Sequence, residues 1–206
     1  MKRLSALVLS LGFALAGAAV AASPAASRPG ARSALPGDSV YQLQSTLRGA
    51  DGRPMQWKAL RGKPRIATLF YANCPYMCPL IIEAGKGIDR ALTPAERAGL
   101  GVVMVTMDPA RDTPAALTAL AKKRKIDTGR WQLLLPRPQD LRSIAGVLQV
   151  RYRALADGEF NHTSVWILLD ADGRILARTE QMTPQPDPAF MAAVRKALAA
   201  APKPAN

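Results

Sequence analysis

The sequence predicts an α/β fold with a mixed, largely parallel central sheet and helices on both faces. Compact apolar runs at residues 65–71, 101–107 and 164–169 are typical of buried strands. Segments with apolar residues at helical spacing follow these runs, and alternation of this kind favours parallel strands joined by helices. The turn-forming segment at residues 170–173 then leads into a final antiparallel hairpin.

Local patterns predict each element in turn. Strands are expected at residues 40–47, 54–56, 65–71, 101–107, 131–135, 164–169 and 174–179, and helices at residues 80–92, 112–123, 139–148 and 188–198. Asp51 and Gly52 are typical of the hairpin turn between the first two strands. Thr93 and Glu96 form a capping-box pattern with proline at the first helical position, so a short helix is also expected to begin at Thr93.

The two loops that follow the first and second buried strands are expected to form the working edge of the sheet. Cys74 and Cys78 follow the first strand, and residues 108–112 follow the second. Binding sites in open α/β sheets lie outside the carboxyl ends of the strands. Both loops should therefore open on the same edge.

The ends of the chain differ in composition from the middle. Lys2 and Arg3 precede an apolar run that ends in small residues, which predicts a signal peptide over residues 1–22, cleaved near Ala21 or Ala22. Residues 23–37 are expected to be a flexible leader, 38–200 one domain, and 201–206 a tail. Export to the periplasm follows from this prediction, and a retained N-terminal membrane anchor facing the periplasm is the alternative.

The net charge of +13 would usually suggest nucleic acid as a partner. An exported protein seldom meets nucleic acid, so we expect no such partner. Association with an acidic protein or with an anionic membrane surface remains open. The cluster at residues 122–125 is either a solvated helix end or a docking patch.

Cys74 and Cys78 are the only cysteines of the chain, and His162 is its only histidine. Two thiolates and an imidazole suit copper or zinc, whereas two neighbouring thiols also suit reversible disulfide chemistry. A helix that begins near Cys78 would lower the pKa of both thiols through its positive end. His162 lies just before the third buried strand, which could bring it beside the cysteine loop.

The same residues could also have structural roles that involve neither metal binding nor redox chemistry. The cysteines could form an inert bridge, although so short a loop would constrain the unfolded chain only modestly. His162 could be an ordinary surface or capping residue. Met77 is either a thioether ligand or a core-facing side chain. A zinc hydrolase is disfavoured, because the sequence offers no nearby glutamate base and no usual ligand set.

Three stretches of the sequence resemble the Sco/SenC family of thioredoxin-like copper-binding proteins, of the cytochrome c oxidase assembly type. Residues 70–79 contain the pattern Cys-Pro-x-x-Cys-Pro after a buried strand. Residues 106–114 are similar to the family's Asp-Pro-x-Arg-Asp-Thr-Pro signature. Residues 161–164, Asn-His-Thr-Ser, precede a strand and an Asp-x-Asp-Gly turn, where the family places its ligand histidine. The resemblance covers about residues 38–200.

The resemblance implies a thioredoxin-like fold in which Cys74, Cys78 and His162 bind copper as Cu(I) or Cu(II). Asp108 and Arg111 would support the ligands or order their loop. The partner would be a cuproprotein recipient, such as the copper subunit of cytochrome c oxidase. The sequence departs from the family at Tyr76, where members commonly have aspartate.

Two functions compete at this point. The first is a copper chaperone, a binding protein without catalytic turnover. The second is a thiol-disulfide oxidoreductase, in which Cys74 attacks and Cys78 resolves, with a thiol-disulfide reductant as its partner. Thioredoxin-type enzymes use Cys-x-x-Cys and a proline before the facing strand, whereas this chain has one more residue between its cysteines and no proline between Pro138 and Pro184. These differences favour the chaperone, and one protein could do both.

Overall fold

The computed structural model describes residues 34–201. The strands are β1 (Thr46–Gly49), β2 (Pro54–Gln56), β3 (Arg65–Phe70), β4 (Gly101–Thr106), β5 (Trp131–Pro136), β6 (Tyr152–Ala154), β7 (Phe160–His162), β8 (Trp166–Leu169) and β9 (Ile175–Thr179). The α-helices are α1 (Met77–Arg90), α2 (Pro94–Gly99), α3 (Pro114–Lys123), α4 (Leu141–Val147) and α5 (Pro188–Ala200). No helix in this part of the chain is long and apolar enough to span a membrane. The predicted signal peptide, residues 23–33 of the leader and residues 202–206 lie outside the described residues, and the domain limits remain predictions.

The central sheet has seven strands in the order β2-β1-β5-β4-β3-β8-β9. Its centre is parallel, because β4 pairs in parallel with both β3 and β5. The outer strands add antiparallel pairs on both sides: β1 with β2 and β5, and β8 with β3 and β9. The α/β fold class predicted from the sequence is confirmed, with its parallel part confined to three central strands. Strands β6 and β7 form a separate two-stranded hairpin.

The central strands are apolar along their whole length because both of their faces are covered. Every residue of β3 and of β4 is buried, which is the pattern expected of parallel strands between layers of helices. The one charged residue among them, Arg65, donates hydrogen bonds to the carbonyl oxygen of Leu60 at 2.6 Å and to the side chain of Gln132 at 3.3 Å. Such pairing is what makes the burial of a guanidinium group tolerable.

Helix α1 is held close to the sheet by a pair of tryptophans. The rings of Trp131 and Trp166 meet edge to face at 6.0 Å, and the Trp166 indole donates to the carbonyl oxygen of Ile81 at 3.1 Å. A β-carbon at Gly85 would lie 2.5 Å from the Trp166 ring, so only glycine allows this approach. This contact sets the distance between α1 and the sheet. It therefore also sets the position of the cysteine loop, which leads into α1.

Several local predictions are confirmed and others need correction. The Thr93–Glu96 capping box is present. The strand predicted at residues 40–47 is wrong in its first half, because Ser39 caps a short 3-10 helix (Val40–Gln42) and the strand begins only at Thr46. Helix α1 begins at Met77, three residues earlier than predicted, since Pro79 falls within its first turn, where no backbone donor is needed. The sequence reasoning missed the β6–β7 hairpin.

Candidate metal centre

Three segments of the chain meet at one edge of the sheet. Strands β3 and β4 end there together, joined by a hydrogen bond from the Met107 amide to the Phe70 carbonyl oxygen at 2.7 Å. Strand β8 runs antiparallel to β3, so its first residue lies at the same edge. The cysteine loop, the loop at residues 107–113 and the β6–β7 hairpin are therefore neighbours, as the strand order requires.

The cysteine loop brings both sulfur atoms to the start of helix α1. The Cys78 amide donates a hydrogen bond to the Cys74 sulfur at 3.2 Å, so Cys74 satisfies a backbone donor at the first helical turn. The Tyr71 amide donates in turn to the Cys78 sulfur at 3.3 Å. Both cysteines are buried, and neither forms a disulfide. The two sulfurs thus share one small region, as the four-residue spacing predicts.

The two thiols have opposite acid–base properties. A hydrogen bond from the Cys78 thiol, aided by backbone donors, lowers the pKa of Cys74 to about 5 despite its burial. The same hydrogen bond and burial raise the pKa of Cys78 well above its ordinary value, and the carboxylate of Asp112 adds to the rise. At neutral pH Cys74 is therefore a thiolate and Cys78 a thiol that donates to it.

The imidazole of His162 presents one nitrogen without a partner. Its Nδ1 lies 3.2 Å from the carbonyl oxygen of Thr163, and since a carbonyl can only accept, Nδ1 carries the proton. Nε2 therefore holds a lone pair, and it is buried without a hydrogen-bond partner in the described part of the chain. Burial also lowers the pKa of His162, which keeps the ring neutral at pH 7. A ligand histidine has this arrangement, with its other nitrogen donating to a carbonyl.

Tyr71 stands between the cysteines and the histidine. Its ring packs edge-on against Phe160 at 5.2 Å and against His162 at 6.2 Å between ring centroids. Its hydroxyl donates to Glu159 at 2.7 Å and also lies within hydrogen-bonding reach of Cys74. Burial, with these hydrogen bonds, raises the pKa of Tyr71 above its ordinary value, so the hydroxyl stays protonated and remains a donor.

The loop at residues 107–113 ties the other two segments together. The buried carboxylate of Asp112 accepts hydrogen bonds from the Thr106 hydroxyl and from the Ala72 amide, which belongs to the cysteine loop. Arg111 pairs with Asp108 and donates to the carbonyl oxygen of Gly158 in the hairpin turn. Together with the hydrogen bond from the Tyr71 hydroxyl to Glu159 of the hairpin, these contacts hold the three segments to one another.

The predicted supporting residues, Asp108 and Arg111, order their loop and connect it to the hairpin. Asp108 is buried and receives Arg111, whose guanidinium group is partly exposed. The residue that contacts the cysteine loop is Asp112, which the sequence reasoning did not single out as a site residue. Its signal was its position two residues before the proline that starts α3, in a polar run directly after a buried strand.

The three predicted ligands are not gathered into one cluster. No group of three or more His, Cys, Asp or Glu side chains within residues 34–201 is arranged to hold a metal ion. The structure brings Cys74 and Cys78 together and places His162 on the hairpin, where its ring packs against Tyr71, whose hydroxyl lies within hydrogen-bonding reach of Cys74. Met77, left open between ligand and core, is 38% exposed and does not face the core. The ligand set therefore stays a prediction.

The residues missed by the sequence reasoning, Tyr71 and Glu159, belong to the hairpin contact. Asp157 and Gly158 form the kind of pair that favours a hairpin turn, and Gly158 has a φ of 83°. Recognition of that turn would have predicted the short strands on either side of it. Tyr71 was assigned to the first buried strand, and nothing local in the sequence indicated that its hydroxyl reaches the hairpin.

A model of the SCO1/SenC family matches residues 36–199. The chain belongs to the SCO1/SenC family. The family predicted from the three sequence stretches is thereby confirmed, and the matched region contains the cysteine loop, the loop at residues 107–113 and the hairpin that bears His162.

Relatives of this SCO1/SenC chain agree with its fold. ScoI from Bradyrhizobium japonicum, solved with copper bound, is 23% identical, with a TM-score of 0.62 and coverage of 74% of this chain and 96% of that one. BsSco, described as a member of the Sco family of cytochrome c oxidase assembly proteins and as having a disulfide switch, is 20% identical, with a TM-score of 0.65 and coverage of 78% and 95%.

One curated protein is also similar to the chain. It comes from Stutzerimonas stutzeri and carries the provisional name of copper-binding protein. The two are 30% identical over 79 residues, and the match covers 38% of each chain. The similarity thus extends over well under two thirds of that relative.

Proposed function

We propose that this chain is an exported copper chaperone in which Cys74, Cys78 and His162 bind one copper ion. The copper is cargo for a respiratory cuproprotein such as cytochrome c oxidase, whose copper site the chain fills or matures. The observation that carries the proposal is the unpartnered, buried Nε2 of His162, with its tautomer set by Thr163, beside two adjoining sulfurs. Relatives solved with copper bound support the choice of metal.

The donor set suits copper in both oxidation states. Two thiolates favour Cu(I), and an added imidazole gives a three-coordinate shell that also serves Cu(II). Because the three side chains are not gathered into a metal site within residues 34–201, we expect the β6–β7 hairpin to move toward the cysteine loop when the shell is completed. The hairpin pairs with no other strand in the described part of the chain and is held by single side chains such as Arg111 and Tyr71, so a short movement breaks few contacts.

Copper titration of the full chain tests this function. The reduced protein should bind one copper per chain, and Cu(II) should give an intense sulfur-to-copper absorption band, because both thiolates are ligands. The protein oxidised to its disulfide, or blocked at both thiols, is the control and should bind copper at least about 100-fold more weakly. Undiminished copper binding after thiol blocking would show that the cysteines are not the ligands.

A thiol-disulfide oxidoreductase is the second candidate, and the opposed pKa shifts of the two cysteines favour it. Cys74 as a thiolate can attack a substrate disulfide, and Cys78 can then release the mixed disulfide. The substrate gains two thiols, and this chain is left with a Cys74–Cys78 disulfide that an external dithiol must reduce. The disulfide switch described for BsSco accords with such redox chemistry.

The proposed location is the periplasm, after cleavage near Ala21 or Ala22. The charged start and apolar run of residues 1–22 support export, and delivery to a respiratory cuproprotein requires it. The mass of the protein recovered from the periplasmic fraction of a bacterial host should match a chain that begins at residue 22 or 23. Recovery of the uncleaved chain in the membrane fraction would instead establish the N-terminal anchor.

A further inference from the structure

A groove of about 580 Å³ adjoins the candidate metal centre. One wall is the β6–β7 hairpin, including Arg151, Arg153 and His162, and the other wall includes Met77, from the start of α1, and Glu180. Met77 is the residue before Cys78, and His162 carries the unpartnered nitrogen. A molecule seated in this groove would therefore contact residues on both sides of the proposed copper site.

The groove carries unneutralised positive charge. Arg151 and Arg153 are exposed, and they project to the same side of the hairpin because they are two residues apart along an extended strand. Within the described part of the chain, neither guanidinium group forms a hydrogen bond or an ion pair. Among residues 34–201, Glu180 is the one carboxylate that lines the groove. Two free arginines against one acid favour an anionic occupant, and guanidinium groups pair well with carboxylates.

The hairpin also has an open backbone edge. The Thr163 amide donates to the Arg151 carbonyl oxygen at 2.9 Å, and the Leu155 amide donates to Glu159 at 2.8 Å. Hydrogen-bonded and non-hydrogen-bonded residues alternate along an antiparallel strand. The backbone N–H and C=O groups of Tyr152 and Ala154 therefore point away from β7. In residues 34–201 no other strand pairs with β6. An unpaired strand edge can add an extended segment from a partner.

We infer that this groove binds an extended acidic segment of the copper-receiving partner. The segment pairs with the outer edge of β6, and two carboxylates spaced two residues apart face Arg151 and Arg153. The same period of two that aligns the arginines aligns the carboxylates of an added strand. The identity of the occupant as the copper recipient rests on the proposed function, whereas the acidic extended segment follows from the arginines and the open edge.

A labelled peptide tests the inference on the full, reduced chain. The probe is Thr-Val-Asp-Val-Asp-Val-Thr, and the matched peptide has the same composition with its two aspartates adjacent. Fluorescence anisotropy should show tighter binding of the alternating peptide, and ¹⁵N spectra should show shifts at the Tyr152 and Ala154 amides. Arg151→Gln and Arg153→Gln should each weaken binding by about fivefold, the upper range for exposed ion pairs.

Arg142→Gln is the matched control, because Arg142 is an exposed arginine on α4, outside the groove. It should bind the alternating peptide as the unmodified chain does. Equal binding of both peptides, or an equal loss in Arg142→Gln, would reduce the effect to general attraction by a cationic protein and overturn the inference. The inference would also be overturned if the chain bound anionic lipid vesicles but not the peptide, and if the groove variants lost this vesicle binding. The groove would then be a site for a membrane surface.

Copper titration of the same variants separates this inference from the proposed function. Arg151→Gln and Arg153→Gln should still bind one copper, since neither residue is a proposed ligand. If the unmodified chain binds copper but does not distinguish the two peptides, the inference about the groove is wrong and the proposed function is unaffected. If the chain distinguishes the two peptides but binds no copper, the chaperone function is wrong, whereas the binding site for an acidic segment is supported.

Discussion

His162→Ala should weaken copper binding by the reduced chain by more than about 100-fold and remove most of the sulfur-to-copper absorption. Even the loss of a group that merely supports a ligand commonly costs 10–100-fold in metal affinity, so the loss of a ligand should cost more. The chain has no second histidine that could take its place. Competition titration against a chelator of known affinity measures the change.

The matched control for this variant is Asn161→Ala, the neighbouring residue on β7. Asn161 is exposed and His162 is half-buried on the opposite side of the strand, so the control changes the hairpin without removing the imidazole. Thiol-disulfide exchange by His162→Ala should be nearly unchanged, because the sulfurs keep their own donors, the amides of Cys78 and Tyr71. A variant that keeps its copper band but loses exchange would favour the oxidoreductase.

The cysteine loop is the part of the site that sequence alone could place. The apolar run before Cys74 and the helical spacing after Cys78 are local signals, and together they set the loop at the end of a buried strand. The parallel alternation then puts the loop at residues 107–113 on the same edge. These predictions succeeded because burial on both faces leaves a continuous apolar pattern that few other structures share.

The hairpin could not be predicted with the same ease. Strands β6 and β7 have three residues each, too few for an alternating pattern to stand out. Neither strand has a fully buried residue, and most of β6 is exposed. Their position depends on distant contacts, such as Tyr71 with Glu159 and Arg111 with Gly158, which span long stretches of sequence. His162 was therefore recognised by its scarcity and by family resemblance, and its lone-pair geometry emerges only from the structure.

The departure at Tyr76 changes the surface around the site. The side chains of Tyr76, Met77 and Leu80 are 80%, 38% and 47% exposed, so the rim at the start of α1 is apolar. Exposed apolar groups of this kind are typical of contact surfaces. Next to the free arginines of the hairpin, this rim gives a partner both apolar area and a positive flank, which favours an acidic recipient with an apolar contact face.

The two cysteines should differ in alkylation rate by about 100-fold or more at pH 7. The thiolate is the reactive form, and the pKa of Cys74 is lowered to about 5 whereas that of Cys78 is raised. Because the Cys74 pKa is lowered, its reactivity is present at neutral pH and is lost only as the pH falls through about 5. Mass spectrometry of the copper-free, reduced chain after brief iodoacetamide treatment across pH 4–9 measures the rate at each residue.

Substitution of Cys78 identifies the cause of this asymmetry. Cys78→Ala removes the donor that stabilises the Cys74 thiolate and should move the alkylation profile of Cys74 to higher pH, whereas Cys78→Ser keeps a donor and should move it less. Equal rates at both cysteines, or a Cys74 rate that rises only above about pH 8, as for an ordinary thiol, would contradict the prediction. Since Cys74 is already ionised at pH 7, copper binding there should release about one proton, from Cys78. In the proposed copper site, the Cys74 thiolate would therefore bind the metal first, and Cys78 would bind only after its proton leaves.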